Sequence, residues 1–209
     1  MIRSLTILVT VLALATLAAG QTFYGTTDIQ AFREGRDREF RDAAATPLMA
    51  SDRTEFKGLR YFPVNAMFRV TAELVRTEAE KVFQMPTSSG NSKKFVKYGV
   101  LKFELAGKPF TLSVYQADAE SRARNPEFAD LLFIPFRDHT NGTETYGAGR
   151  YLDIRMPPSS NVTLDFNLAY NPNCAYGSSR YSCPVPPREN FLRTRIVAGE
   201  LNYEHQAKR

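Results

Sequence analysis

Apolar and polar residues alternate through most of the chain after residue 59, and this alternation predicts a mainly β protein. It is clearest over residues 68–74, where every second residue is apolar, as in a half-buried strand. Residues 95–105 and 110–115 continue it on either side of a tight turn at residues 106–107, and together they predict a hairpin. The apolar phase slips near Gly99, which indicates a β-bulge there.

Further strands are predicted over residues 131–136, 152–156, 162–168 and 193–197. The first of these is a continuous apolar run, which is typical of a strand buried on both faces. Eight or nine strands with few helices predict a β-sandwich or a partly closed antiparallel β-barrel.

An N-terminal helix completes this fold class. Thr27 and Gln30 have the spacing of a capping box, and the helix is predicted to run to about Ala43. Its apolar stripe is thin, so we expect a solvated helix packed on the edge of the domain.

The first twenty residues resemble a secretory signal peptide. Arg3 precedes an apolar run over residues 5–17, and small residues follow, so cleavage is expected near Gly20. The run is too short for a stable membrane anchor, and the protein is therefore predicted to be secreted or periplasmic. The mature chain divides into an N-terminal helical segment (21–44), a single β-rich domain (45–200) and a C-terminal tail (201–209).

Charge narrows the range of partners. The chain carries 27 Lys and Arg against 22 Asp and Glu, and the two signs are interspersed. Because no basic stripe with interleaved aromatic residues is present, nucleic acid is not an expected partner. The sequons at Asn141 and Asn161 would be glycosylation acceptors in a eukaryotic host.

The candidate chemistry is concentrated between residues 137 and 190. In the predicted strand 162–168, Asp165 and Asn167 project away from the apolar face, so they form either a solvated face or the polar wall of a pocket. Arg150 follows a glycine turn and could bind an anion through two hydrogen bonds, or be paired with Asp153 or Asp165. The candidate ligand-binding residues are Tyr146, Arg150, Asp165, Asn167 and Tyr170.

The surrounding loops carry the other candidates. Asp138 and Thr140 have the spacing of a turn that bonds its own backbone, although Asp138 or His139 could also act as a general base. The remaining candidate loop residues are Gly147, Gly149, Glu189 and Asn190, of which the last two cap or pin the start of the final predicted strand. No recognised catalytic motif is present, so the sequence leaves enzymatic activity open, and neither a metal nor another cofactor is predicted.

Cys174 and Cys183 are the two cysteines of the chain. In an exported protein they favour one disulfide, which would contribute about 2–3 kcal/mol by closing a small loop. A zinc pair or a redox-active dithiol fits their spacing less well.

Several strings from this region, together with an earlier one, carry a family resemblance. They are KGLRYFPVN, FRDHTNGTETYGAGRYLDI, LDFNLAYNPNCAY, YSCPVPPREN and IVAGE. As a set they resemble the domain-of-unknown-function 1684 family over about residues 45–200. The resemblance implies a mostly β fold and a shared polar cluster around Arg150, Asp165, Asn167, Tyr170 and the Cys174–Cys183 loop. Ala148, where the family pattern has glycine, and the Gly-Ser-Ser before Arg180 are departures from it.

Three functions remain open at this point. The protein could be an exported binding module for a small polar or anionic ligand, a structural domain with a self-satisfied polar cluster, or a hydrolase-like enzyme that uses Asp165 or Asp138 with Arg150. Convergence of the named side chains on a concave pocket would favour binding or catalysis. If these side chains instead form all their hydrogen bonds and ion pairs with one another, the structural role is favoured.

Overall fold

The structure is a computed structural model that describes residues 27–78 and 81–203, so the predicted signal peptide lies outside the described residues. The helices are α1 (Ile29–Arg41) and α2 (Ala119–Arg124), and the strands are β1 (Arg69–Arg76), β2 (Val82–Pro86), β3 (Ser92–Leu105), β4 (Lys108–Ala117), β5 (Leu131–Phe136), β6 (Arg150–Arg155) and β7 (Asn161–Asp165). Neither helix combines the length and apolarity that crossing a bilayer requires.

The seven strands form one antiparallel sheet in the order β6-β5-β4-β3-β1-β7, with β2 added beside β3. The sheet curls until its two ends approach each other. Tyr151 in edge strand β6 donates its N–H to the carbonyl of Tyr170 (2.9 Å), and the N–H of Tyr170 returns the bond (3.0 Å). Tyr170 follows β7 in the chain, so this bridge forms a seam between the two ends of the sheet. The mainly β prediction is confirmed, and the architecture is that of a partly closed barrel.

The β3–β4 hairpin has the predicted bulge. The pairing register shifts between Lys97 and Gly99. A Cβ atom at Gly99 would lie 2.5 Å from the carbonyl oxygen of Val75, so the neighbouring strand can approach only because this residue is glycine. The turn residues Ala106 and Gly107 both have positive φ (51° and 73°), as a two-residue hairpin turn of this twist requires.

The core lies inside the curl of the sheet. Side chains from both sheet ends and from the hairpin interdigitate there, and several of them are completely buried: Leu101, Leu112, Val114, Leu132, Ile134, Phe136, Leu164 and Phe166. Helix α1 contributes Phe32 to this core, while Phe40 packs in a second, smaller cluster with Leu48 and Tyr176. Burial of this apolar surface is the main stabilising contribution to the fold.

The strand predicted over residues 162–168 is shorter than expected. Pairing ends at Asp165, whose Oδ1 accepts the N–H of Asn167 at 2.9 Å, and residues Phe166–Leu168 form a turn of 3₁₀ helix. A carboxylate that caps a turn competes with the strand ladder for the same N–H group. This turn redirects the chain from β7 towards the seam.

Other predictions about secondary structure were also wrong. Asp28, not Thr27, caps α1, because its Oδ1 accepts the N–H of Ala31 (2.9 Å), and the helix ends at Arg41. Residues 193–197 form no strand, and seven strands are present in the described chain where eight or nine were predicted. The 193–197 segment is held instead by side chains, chiefly Arg150 and Asp138.

Candidate functional site

A cavity of about 960 Å³ opens beside the seam, between the end of the β3–β4 hairpin, α2 and the loop that contains both cysteines. Its lining is rich in aromatic side chains, which come from β3, the turn between α2 and β5, β5, β6 and the segments around the disulfide: Phe95, Phe128, Phe133, Tyr151, Tyr170 and Tyr181. A concave site of this size with mostly apolar walls is the common form of a small-molecule site.

Asp153 and Tyr170 form a polar pair at the floor of this cavity. Strand β6 places Tyr151 and Asp153 on the same face, and the seam brings Tyr170 beside them. The Tyr170 hydroxyl donates to Asp153 Oδ2 at 2.5 Å. Burial raises the pKa of Asp153 to about 6, although the hydrogen bond from Tyr170 and the positive charges of Arg155 and Arg36 oppose this shift.

The aromatic rings near Asp153 pack against one another at defined angles. The ring of Tyr151 is nearly perpendicular to that of Phe133 (4.7 Å between centroids, 77°) and to that of Tyr170 (5.7 Å, 88°). Phe95 stacks on Phe133 with centroids 5.5 Å apart. These contacts form a rigid aromatic corner, defined here as Phe133, Tyr151 and Tyr170, with the Asp153 carboxyl beside it.

The rim of the cavity carries charged side chains. Glu120 pairs with Lys94 (3.8 Å) and with Arg124 (3.2 Å), so these charges largely neutralise each other. Arg180 donates to the carbonyl oxygen of Thr46 at 2.9 Å. Lys93 also lines the cavity and, within the described chain, forms no ion pair.

The predicted Cys174–Cys183 disulfide is present and forms part of the cavity wall through Cys183. The Ser88 hydroxyl donates to the sulfur of Cys174 (3.2 Å), and the Ser88 N–H donates to the carbonyl of Cys183 (2.9 Å). These bonds fix the disulfide loop on the turn between β2 and β3. The loop therefore borders the cavity near Tyr170 and does not cover Arg150.

Arg150 lies in the interior of the protein, outside the cavity. Its side chain is 0% exposed and donates to Asp138 Oδ2 at 2.9 Å, to the carbonyl of Ile196 at 2.8 Å and to the carbonyl of Ala198. The partner is Asp138, where the sequence suggested Asp153 or Asp165. Arg150 thus fastens the C-terminal segment to the start of β6.

Asp165 and Asn167 are also paired internally. Asn167 accepts the N–H of Asn65 (2.9 Å) and donates to the Asn65 carbonyl (3.0 Å) and to Asp165 Oδ1 (2.7 Å). Asp165 faces a smaller cavity of about 240 Å³ between β6 and β7, with its Oδ2 3.7 Å from Arg69. Tyr146 packs beside the cluster that contains Phe40. Of the five predicted ligand residues, only Tyr170 lines the larger cavity.

The loop residues named from the sequence hold the loops in place. Asp138 Oδ1 accepts from the N–H and the hydroxyl of Thr140 (2.8 and 2.6 Å), as in the predicted turn. The glycine turn at Gly147 and Gly149 leads into β6, and Gly149 has φ 110° with Phe136 O too close for a Cβ atom. Glu189 accepts the hydroxyl of Tyr115 (2.8 Å).

The two sequon asparagines differ in their surroundings. Asn141 Nδ2 donates to Thr145 (2.9 Å) and to the carbonyl of Tyr146 (3.0 Å), so it is engaged inside its loop. Asn161 is exposed at the start of β7.

Sequence reasoning missed Asp153 as a site residue, although a signal for it existed. Leu152 and Ile154 identify one face of β6, and the opposite parity places Tyr151, Asp153 and Arg155 together. The missing information was that Tyr170, 17 residues further along the chain, returns to this face and that a cavity opens above it.

A second missed group is the buried charge network on α1. Arg36 is 0% exposed and lies 3.5 Å from Glu200, which also accepts the hydroxyl of Tyr176. Burial raises the pKa of Glu200, while the charge of Arg36 opposes that shift. The network joins α1 to the C-terminal segment, and no cluster of His, Cys, Asp and Glu in residues 27–78 and 81–203 is arranged as a metal site.

We expect the Asp153→Asn variant to differ from wild type in stability only at neutral and alkaline pH. The folded pKa of about 6 is above the ordinary value of 3.8. The stabilising contribution of the protonated acid is therefore complete below pH 3.8 and is lost as the pH rises through 6. Asparagine stays neutral, so the variant should be about 1–2 kcal/mol more stable at pH 7.5 and equal at pH 4, after allowance for solvent screening.

Urea denaturation at several pH values between 4 and 8 measures this difference. Glu104→Gln, which removes an exposed acid from strand β3 of the same sheet, is the control and should show no such rise. A difference between Asp153→Asn and wild type that stays constant from pH 4 to pH 8 would contradict the prediction.

Comparison with known proteins places the chain among relatives of unknown function. The family described as "Protein of unknown function (DUF1684)" matches residues 54–201. A solution NMR structure of an uncharacterized protein from Haloarcula marismortui is 37% identical, with a TM-score of 0.64, and the match covers 83% of this chain and 91% of that one. No curated protein matches at a significant level.

Proposed function

Since the chain belongs to the DUF1684 family of proteins of unknown function, we propose from the geometry that it binds a small polar ligand in the cavity above Asp153 and Tyr170. The observation that carries this proposal is the cavity itself. Its volume of about 960 Å³ lies in the range of small-molecule sites, and aromatic side chains form much of its wall.

The polar groups of the cavity give the ligand an orientation. Asp153 and the Tyr170 hydroxyl offer a hydrogen-bonding pair at the floor, while Lys93 offers a positive charge at the rim. An anionic group on the ligand would therefore lie at the rim, with the body of the molecule between the aromatic walls.

Secretion or transfer to the periplasm belongs to the same proposal. Two features support it: the signal-peptide pattern before Gly20, and a disulfide, which persists mainly in oxidising compartments.

A structural role has specific support at a different place in the molecule. Arg150, Asp138, Asn167 and Asp165 bond to one another or to backbone groups, so this polar cluster fastens loops to the sheet. The hydrolase alternative gains nothing from the geometry, because Asp138 and Arg150 are 3% and 0% exposed and a substrate has no access to them.

A fluorescent probe tests the cavity directly. We expect 8-anilinonaphthalene-1-sulfonate, an aromatic anion, to bind the folded protein in a saturable manner with one site per chain. Ala117 lines the cavity, and the variant Ala117→Trp should fill it and weaken binding at least about tenfold, which corresponds to about 1.4 kcal/mol. Thr111→Trp places the same side chain on an exposed position of the same strand and should bind like wild type.

Isothermal titration calorimetry gives the stoichiometry and the affinity, and circular dichroism checks that both tryptophan variants are folded. Unsaturable binding, or equal affinity in the two variants, would contradict a ligand site in this cavity.

A further inference from the structure

We propose that the ligand of this cavity carries an alkylated ammonium group, which sits in the aromatic corner against the carboxylate of Asp153. This inference rests on the proposed binding function and specifies its ligand. It follows from three features of the cavity floor: the arrangement of the rings, the free oxygen of Asp153 and the pairing of the nearby cations.

The aromatic corner brings three rings to the cavity beside one carboxylate. Tyr151 packs edge to face with Tyr170 (88°) and with Phe133 (77°), and all three rings line the cavity. Aromatic rings attract an alkylated ammonium group, which is large and weakly hydrated, through their negative faces. The ring of Tyr170 already accepts one cation in this way, since the guanidinium of Arg36 lies 5.1 Å from its centroid.

Asp153 supplies the counter-charge. Its Oδ2 accepts the Tyr170 hydroxyl, while Oδ1 has no hydrogen-bond donor in the described part of the chain. Arg155, the cation nearest to it in the sequence, is instead bonded to Asp130 at 2.6 Å. A carboxylate in a mostly apolar cavity is costly to ionise without a positive partner, and the raised pKa of Asp153 reflects this cost. A bound cation would provide that partner.

The surrounding positive charges do not oppose the cation as strongly as their number suggests. Arg36 pairs with Glu200 at 3.5 Å and with Glu39 at 3.4 Å. At the rim, Lys94 and Arg124 share Glu120. Lys93 and Arg180, which form no ion pair within the described chain, remain for an anionic group on the same molecule, so a zwitterion fits both ends of the cavity.

Choline and its neutral isostere 3,3-dimethyl-1-butanol test the charge requirement. Both are titrated into the full mature chain at pH 7.5 and followed by amide chemical shifts in ¹H–¹⁵N NMR spectra. We expect choline to shift the amides of Tyr151, Asp153 and Tyr170 and to bind at least about fivefold more tightly than the isostere, as a partly desolvated cation–π contact would give.

Asp153→Asn should weaken choline binding by at least about fivefold and leave the isostere unchanged. Lowering the pH to 5 should likewise weaken choline binding to the wild-type protein and leave the isostere unchanged. Asp153, with a pKa of about 6, is largely protonated at that pH. Glu104→Gln, the matched control, removes an exposed acid of the same sheet that does not line the cavity and should bind choline like wild type.

A free metabolite and a lipid headgroup share this ammonium group. Binding of glycerophosphocholine in solution, without retention of the protein on phosphatidylcholine vesicles, assigns the site to a free molecule, and retention on the vesicles assigns it to a headgroup. Either result is consistent with ammonium recognition.

Equal affinity for choline and the isostere would overturn the inference, and so would choline binding that survives Asp153→Asn. If neither compound shifts the floor amides while 8-anilinonaphthalene-1-sulfonate still binds in the cavity, the ammonium inference fails and the proposed binding function stands. If the fluorescent probe also fails to bind in the cavity, both the ammonium inference and the proposed binding function are contradicted.

Discussion

Replacement of Arg150 by alanine is expected to lower the free energy of unfolding by about 3–5 kcal/mol, as removal of one partner from a buried ion pair does. The variant would leave the buried Asp138 carboxylate without its positive partner. It would also remove the donors that hold the carbonyl groups of Ile196 and Ala198. Since small domains are stable by only about 5–15 kcal/mol, this loss would be a large part of the total.

Urea denaturation followed by circular dichroism measures the effect. Arg193→Ala serves as the control, because Arg193 is an exposed arginine in the same C-terminal segment and its removal should change stability by less than about 0.5 kcal/mol. A change below about 1 kcal/mol for Arg150→Ala would contradict its role as the anchor of this segment.

Asn190→Ala is expected to cost about 3 kcal/mol, because each buried polar group left without a partner costs about 1–3 kcal/mol. Strands β4 and β5 pair directly at Tyr115 and Phe133 and diverge beyond that point. The Asn190 side chain enters the gap: its Oδ1 accepts the N–H of Ser113 (2.7 Å), and its Nδ2 donates to the carbonyls of Ser113 (2.8 Å) and Pro135 (2.7 Å). One amide thus replaces part of the missing ladder.

Hydrogen exchange gives this prediction a local readout besides overall stability. The Ser113 amide should be protected in wild type and exchange much faster in Asn190→Ala. Asn91→Ala, at an exposed turn, should leave the Ser113 exchange rate unchanged. Its free energy of unfolding should stay within about 0.5 kcal/mol of the wild-type value. Unchanged protection of Ser113 in Asn190→Ala would show that the side chain is dispensable for joining the strands.

The strands that could be predicted are those with a regular pattern and a local signal at their ends. The β3–β4 hairpin follows from alternation, from the turn at residues 106–107 and from the phase slip at Gly99, all of which lie within a few residues of one another. The strand predicted over residues 162–168 was partly wrong. The alternation of apolar residues continues past Asp165, but the strand ends there. There a side-chain cap outweighed the apolar pattern.

The candidate site was harder to predict, because polar residues near one another in the sequence were bonded to distant parts of the chain. Asp165 and Asn167 were correctly recognised as unusual, yet their partners lie about a hundred residues earlier: Asn65 for Asn167 and Arg69 for Asp165. Arg150 was expected to pair with Asp153 or Asp165 and instead pairs with Asp138. The choice among several nearby acids depends on which one the fold buries with the arginine.

The sequence by itself determined the mainly β fold with its N-terminal helix, the bulged hairpin, the disulfide and the family, because each depends on local periodicity or on a specific string of residues. Only the tertiary structure decided that the sheet closes on itself at Tyr151 and Tyr170, and that Asp153 lies at the floor of a cavity. The physical reason is that curling and closure are set by twist and packing summed over seven strands, which no single segment encodes. That closure separates the buried Arg150 cluster, which stabilises the fold, from the open aromatic corner, where we propose that a ligand binds.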